Sequence, residues 1–106
     1  MDSPEEGEVV FVAEMGGSFA GFVHLQTKTD HFTGEALGYV ADLAVHPSSE
    51  GKGVAARLLG RAVDWAQGEG FRLLTLDVFD GNDRAKRLYE KQGFGRDTVQ
   101  YTREVG

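Results

Sequence analysis

The sequence contains no cysteine. Disulfides, thiolate nucleophiles and zinc–sulfur centres are therefore excluded. Histidine is sparse: His24, His31 and His46 are scattered, with no metal-ligand spacing between any two of them. No run approaches the length of about 18 apolar residues that marks a membrane helix. The first eight residues are acidic and lead into no apolar segment of the leader type, so a cytoplasmic location is the expectation. Positive charge is in deficit, with 11 Lys and Arg against 17 Asp and Glu and a net charge of −6. A binder of nucleic-acid backbones usually shows the opposite sign. The acidic surplus serves solubility or favours a cationic partner such as an amine, and net charge does not decide between these.

What is present suits one small globular domain. The chain has 106 residues, of which 41% are hydrophobic. A domain of this size buries a modest core, so association with another subunit would help it. Residues 1–8 read as a loose end. Residues 9–13 are apolar, β-branched and aromatic, which predicts a strand. Gly16-Gly17 marks a turn into a second strand over 19–27, where Phe19, Gly21, Val23 and Leu25 alternate with Ala20, Phe22, His24 and Gln26. A third strand over 36–45 is almost continuously apolar, as a central strand covered on both faces should be. Pro47 stops it.

Val54, Leu58, Leu59, Ala62, Val63, Trp65 and Ala66 then recur at helical spacing, with Ser49 as the expected N-cap. Gly68 and Gly70 close that helix. A fourth strand is expected over 71–78, a short helix over 84–92, and a last strand over 98–105. The order is strand, strand, strand, helix, strand, helix, strand. The third and fourth strands should be parallel across their helix, and the opening hairpin makes the sheet mixed.

Between the third strand and its helix lies Glu50-Gly51-Lys52-Gly53-Val54-Ala55. A glycine-bearing turn that opens a helix is a natural anion site, because first-turn N–H groups lack intrahelical acceptors and lie at the positive end of the helix dipole. Gly51 and Gly53 keep side chains out of the approach, and Lys52 adds a positive charge. The spacing is wrong for a Walker A loop, and Ala56 stands where a dinucleotide fingerprint needs its third glycine. Taken alone, the turn is equally consistent with a simple tight connection.

Two segments carry a resemblance. Residues 42–59, Asp42-Leu43-Ala44-Val45-His46-Pro47 through Gly51-Lys52-Gly53-Val54-Ala55-Ala56-Arg57-Leu58-Leu59, resemble the acyl-CoA signature of the GCN5-related N-acetyltransferases. Residues 82–94, with Asn82, Leu88, Tyr89, Gly93 and Phe94, resemble a later motif of that family at a fitting distance. The resemblance covers at least 36–94. It implies an α/β fold with a mixed (α+β) sheet, namely a GNAT-like acyl-CoA N-acyltransferase fold truncated at its N-terminus, with all 106 residues in one domain. It also implies acetyl-CoA as the acetyl donor. Glu50, Gly51, Lys52, Gly53, Val54 and Ala55 would surround the pyrophosphate, chiefly through backbone amides. The backbone of Leu43, Ala44 and Val45 would pair with the pantetheine arm, where the third and fourth strands splay apart. The Leu43 amide would be the oxyanion donor. Asn82 would contact the pantetheine arm or cap its helix, and Tyr89 would stand near the sulfur and protonate the leaving thiolate. Direct transfer inside a ternary complex needs no cysteine or serine intermediate.

The chain departs from the family pattern in three places. Glu50 stands where Arg or Gln is usual, which sets an acid beside a pyrophosphate. Ala41 stands where many relatives carry a Glu that serves as general base. Asp42 is a catalytic candidate with a structural hydrogen-bonding role as the alternative, and strict alternation would turn it away from the face Ala41 occupies. Glu14, Asp77 and His24 are further candidates for the base. The chain also starts at what looks like the family's second strand, so the acceptor wall is absent, supplied by a partner, or part of a longer protein. A homodimer is expected on this ground. These features predict an N-acetyltransferase acting on a primary amine of a small molecule or peptide. A non-catalytic acyl-CoA-binding or regulatory module is the alternative, and a purely structural domain is a third reading. No metal, nucleic-acid or membrane partner is expected.

Overall fold

A computed structural model describes residues 7–77, 83–97 and 100–105. The expectations for Asn82, Val78 and Val99 lie outside these residues. Apolar alternation sets three long strands, β1 (Glu8–Met15), β2 (Ser18–Thr29) and β3 (Ala36–Val45). β1 and β2 meet through a two-residue turn at Gly16 and Gly17, both at positive φ, whose twist suits a hairpin. A single 3-10 turn at Pro47–Ser49 then leads to α1 (Val54–Gly68). β4 (Leu73–Asp77) and α2 (Asp83–Lys91) follow. A short strand outside the expectation, β5 (Gly95–Asp97), comes next, and the expected last strand is present as β6 (Gln100–Glu104), paired with it as a hairpin.

The sheet order is β1-β2-β3-β4-β6-β5. Among the described residues only β3 and β4 pair in parallel, as expected for strands joined across a helix. α1 buries Val54, Leu58, Leu59, Ala62, Val63 and Ala66 on one stripe against Val23, Leu25, Val40, Leu74 and Leu76 of the sheet. Fully burying a side chain such as Leu59 contributes about 1.5–3 kcal/mol, so this stripe dominates the stability of the domain. Both helices end in the same way. The Phe71 N–H bonds back to Ala66 O and the Phe94 N–H to Tyr89 O, each at 3.0 Å, after a glycine at positive φ. This closure folds Phe71 against Trp65 and Phe94 against Tyr89.

Two glycines permit close approach rather than a turn. A Cβ on Gly38 would stand 2.9 Å from the Trp65 ring, and one on Gly21 would stand 2.6 Å from the Ala44 carbonyl oxygen. Both positions point toward α1, since the Gly21 direction also meets Leu58. They identify the α1 face of the sheet residue by residue.

Strict alternation fails twice. The β1–β2 register passes from Ala13–Gly21 to Glu14–Phe19, leaving Ala20 as an extra residue. Phe19 is consequently half-exposed, whereas Val23 and Leu25 are buried. The β2–β3 register passes from Leu25–Val40 to His24–Asp42, leaving Ala41 extra. Beyond this bulge the parity of β3 reverses: Gly38 and Val40 face α1 before it, Leu43 and Val45 after it. The two-residue period expected for the whole strand is thus broken at Ala41.

Candidate functional site

The glycine turn is built by a short relay of local bonds. The His46 N–H donates to Ala20 O at 2.7 Å, which prolongs the β2–β3 ladder to the end of the strand. Nδ1 of His46 accepts from the Ser48 N–H at 3.2 Å and lies 2.8 Å from the Ser48 hydroxyl. The Ser49 N–H closes the turn on His46 O at 2.8 Å. Ser49 is buried here and does not cap the long helix, contrary to the sequence expectation. The N-cap is Gly53, in the left-handed region at φ 78°, and no side chain accepts from the first turn. An L side chain at Ser49's expected role would have met those amides. Glycine leaves them open.

The first intrahelical bond is Arg57 N–H to Gly53 O at 3.1 Å. The amides of Val54, Ala55 and Ala56 therefore have no acceptor within the helix. No acidic side chain occupies that turn. A Cβ at Gly51 or Gly53 would meet nothing within 4 Å, so the space above the turn is clear. Glu50, Lys52 and Arg57 are exposed, and among the described residues no ion pair joins Glu50 to either cation. The turn thus presents open amides at the positive end of α1, with the glycines required by their positive φ.

Next to it lies the second half of β3. The described pairing with β4 covers Gly38–Leu74, Tyr39–Thr75 and Val40–Leu76. β3 then continues through Ala41, Asp42, Leu43, Ala44 and Val45, paired on the β2 side with His24, Val23, Phe22 and Gly21. Among the described residues no ladder partner covers this half of β3 on the β4 side. Leu43 and Val45 turn their side chains into the core beside α1, while Asp42 and Ala44 are exposed on the other face.

Tyr89 lies in the last turn of α2, half-buried, with its ring 6.3 Å from Phe94 and packed against the main core. Burial pushes its phenol above the ordinary tyrosine range, so the hydroxyl keeps its proton at neutral pH. Of the expected site residues, Leu43, Ala44 and Val45 lie on β3 beyond its last described pair with β4, and residues 50–55 form the turn into α1 just after it. Asn82 and the Asp77 side chain lie outside the described residues. Glu14 is exposed near the hairpin end of β1, opposite Phe19. His24 stands directly across from Asp42. Sequence reading gave no sign of that pairing, because it depends on the Ala41 bulge. Among the described residues no group of His, Asp or Glu could hold a metal ion, and no helix is long and apolar enough to cross a membrane.

A cleft of about 300 Å³ lies elsewhere, bounded by Lys28, Phe32, Leu37 and Thr75. From Leu37 to Leu43 along β3 is roughly 20 Å at strand rise, although Thr75 brings the cleft level with Tyr39.

The sequence matches the acetyltransferase (GNAT) family over residues 2–94, and the chain belongs to that family. It is 36% identical over 90 residues to the uncharacterized N-acetyltransferase YhfO of Bacillus subtilis, an alignment covering 85% of this chain and 60% of that protein. It is 33% identical over 90 residues to N-alpha-acetyltransferase 30 of Schizosaccharomyces pombe, covering 84% and 59%. The chain thus spans about 60% of the length of these curated relatives. The fold matches the ribosomal-protein-S18-alanine N-acetyltransferase of Escherichia coli with a TM-score of 0.80 at 23% identity, over 97% of this chain and 72% of that one. It also matches an aminoglycoside N-acetyltransferase solved with CoA, with a TM-score of 0.77 at 22% identity, over 86% and 70%.

Proposed function

We propose that this protein is an N-acetyltransferase that transfers the acetyl group of acetyl-CoA directly to a primary amine of a small molecule or peptide. The observation that carries this reading is the N-terminus of α1, capped by Gly53 with no side chain on its first-turn amides, at the end of a strand that runs five residues past its last described pairing with β4. An extended pantetheine arm can pair with that part of β3 as an added strand does. Its pyrophosphate then falls on the amides of residues 51–55. Leu43, Ala44 and Val45 hold the arm, and the Leu43 amide donates to the oxyanion that develops on the thioester carbonyl. Tyr89 supplies the proton to the leaving thiolate, a role its raised pKa suits. Asn82 contacts the arm or caps α2. Asp42 faces the acceptor from the far side of the sheet.

Val10 and Val12, 48% and 58% exposed on the face away from α1, support a homodimer in which a second copy walls the acceptor side. A cytoplasmic setting fits the cysteine-free sequence. Ala41 and the exposed Glu50 favour a second reading, an acyl-CoA-binding module without turnover. Calorimetry with acetyl-CoA, followed by a thiol-release assay over a panel of primary amines, tests the proposal. Binding with thiol release on at least one amine is expected. Binding without release on any amine supports the module, and no binding overturns both readings.

A further inference from the structure

The face of the sheet away from α1 carries an ordered row of side chains at the level of Asp42, just before Leu43. Gly21, Val23 and Leu25 face α1, so Phe22, His24 and Gln26 face the other way. The register places Val10, His24 and Asp42 side by side across β1, β2 and β3. The flanking rows are Glu8, Gln26 and Tyr39 on one side and Val12, Phe22 and Ala44 on the other. Asp42 lies two residues past the last described β3–β4 pair, Val40–Leu76. Directly opposed side chains on antiparallel strands have Cβ atoms about 4.5–5.5 Å apart. The imidazole of His24 therefore lies one strand behind Asp42 and beside the residue that precedes Leu43.

The ring is not free to wander. Its Nε2 lies 3.8 Å from Glu8 Oε1, and the same carboxylate oxygen accepts a 2.6 Å hydrogen bond from Gln26 Nε2. His24 and Glu8 side chains are both only 27% exposed. The charged groups facing the imidazole are Glu8 from β1 and Asp42 from β3. Lys28, further along β2, is drawn aside over the Tyr39 ring at 3.6 Å. Val10 and Val12 leave the face accessible.

We infer that His24 is the general base for the acceptor, with Asp42 receiving the substrate as a primary alkylammonium ion and Glu8 positioning the imidazole. The inference rests on the acetyltransferase reading. It explains how a chain with Ala41 in place of a carboxylate can deprotonate an amine. Imidazole is the side chain whose ordinary titration falls nearest neutrality, which suits a base at physiological pH. The ammonium pairs with the Asp42 carboxylate and gives one proton to His24, directly or through one water. The neutral nitrogen attacks the thioester carbonyl, so a C–N bond forms and the oxyanion develops. The C–S bond then breaks, Tyr89 protonates the thiolate, and the second nitrogen proton returns to Tyr89. The proton on His24 passes to solvent, so one amide, one thiol and one proton leave.

The experiment compares the wild type with His24→Gln and Glu8→Gln. Acetyl-CoA affinity is measured by calorimetry. The acceptors are tyramine, spermidine and an alanine-initiated peptide, which arrive protonated, and acetohydrazide, which arrives neutral. The His24→Gln variant should bind acetyl-CoA normally, lose about 10²-fold or more in kcat/KM on the protonated amines, lose the acid limb of that pH profile, and keep its rate on the hydrazide. Glu8→Gln, which leaves the imidazole but removes the carboxylate beside it, should lower kcat/KM on the protonated amines by less than His24→Gln and leave the hydrazide rate unchanged. Unchanged kcat/KM and pH profile in His24→Gln, or an equal loss on the hydrazide, overturns the assignment. A probe that needs no acceptor is bromoacetyl-CoA, from which the imidazole nitrogen displaces bromide to form an N–C bond. Labelling of His24 that excess CoA prevents supports the inference. Labelling of another residue or of none, in a protein that binds CoA, overturns it alone. Absence of CoA binding overturns the function and this inference together.

Discussion

β3 has two halves of similar composition and different surroundings. In the first, Gly38, Tyr39 and Val40 are held on both sides, by β2 and β4. Gly38 is pressed against Trp65, and the start of the strand is tied across to β4 by Arg72, whose guanidinium donates to both Glu35 carboxylate oxygens at 3.0 and 3.1 Å. In the second half, Ala41 to Val45 are paired, among the described residues, with β2 alone. The complete ladder fixes the first half. A strand half with one described neighbour can offer its other backbone groups to a linear amide-bearing ligand, as the proposed function requires.

This contrast can be broken in order of expected effect. Removing the hydroxyl in Tyr89→Phe should lower kcat by about 10²- to 10⁴-fold while acetyl-CoA affinity holds, as calorimetry and thiol release will show. The wild-type rate should also fall at alkaline pH, above the ordinary tyrosine range of about 10, and the variant should lack that limb. The sign for stability is the same. The folded pKa is raised, so this group's contribution is complete below about pH 10 and is lost as pH climbs through the folded value.

The two close-approach glycines come next. Gly38→Ala forces Trp65 and Leu74 to shift and should cost about 1–3 kcal/mol in urea unfolding. Gly21→Ala meets a backbone oxygen that cannot turn aside, so it should cost at least as much and also weaken acetyl-CoA binding, because Ala44 belongs to the second half. If Gly38→Ala weakened the cofactor as strongly as Gly21→Ala, the division of β3 would be wrong.

Gly53→Ala puts a side chain at φ 78° and should cost about 1–2 kcal/mol, read as a lower thermal midpoint and a weaker CoA titration. The smallest effect is expected from Glu50→Gln. It removes an exposed acid beside the amides and should tighten acetyl-CoA binding by about fivefold or less, ~1 kcal/mol at most, with a reduced gain at high salt.

Much of this was legible in residues alone. The bounds of β3 and the start of α1 followed from the apolar run ended by Pro47 and from the helical spacing after Val54. Residues 42–59 and 82–94 carried the family resemblance. The sequence misled at Ser49, whose capping chemistry is a local preference overridden by burial in the 3-10 turn. It also left β5 unmarked: Gly95–Asp97 are three residues with no apolar pattern of their own that form a strand by pairing with β6.

The order of strands and helices, the core stripe of α1 and the glycine turn were determined by the sequence itself, because periodicity and backbone permissiveness are local properties. Which residues meet was decided only by the tertiary structure. The bulge at Ala41 reverses the faces of β3 and sets His24 across from Asp42. The neighbours of β3, β2 along its length and β4 beside Gly38 to Val40, are likewise set there. Both depend on register between strands distant in the chain, and register is fixed by packing across the sheet rather than by any one strand's own residues.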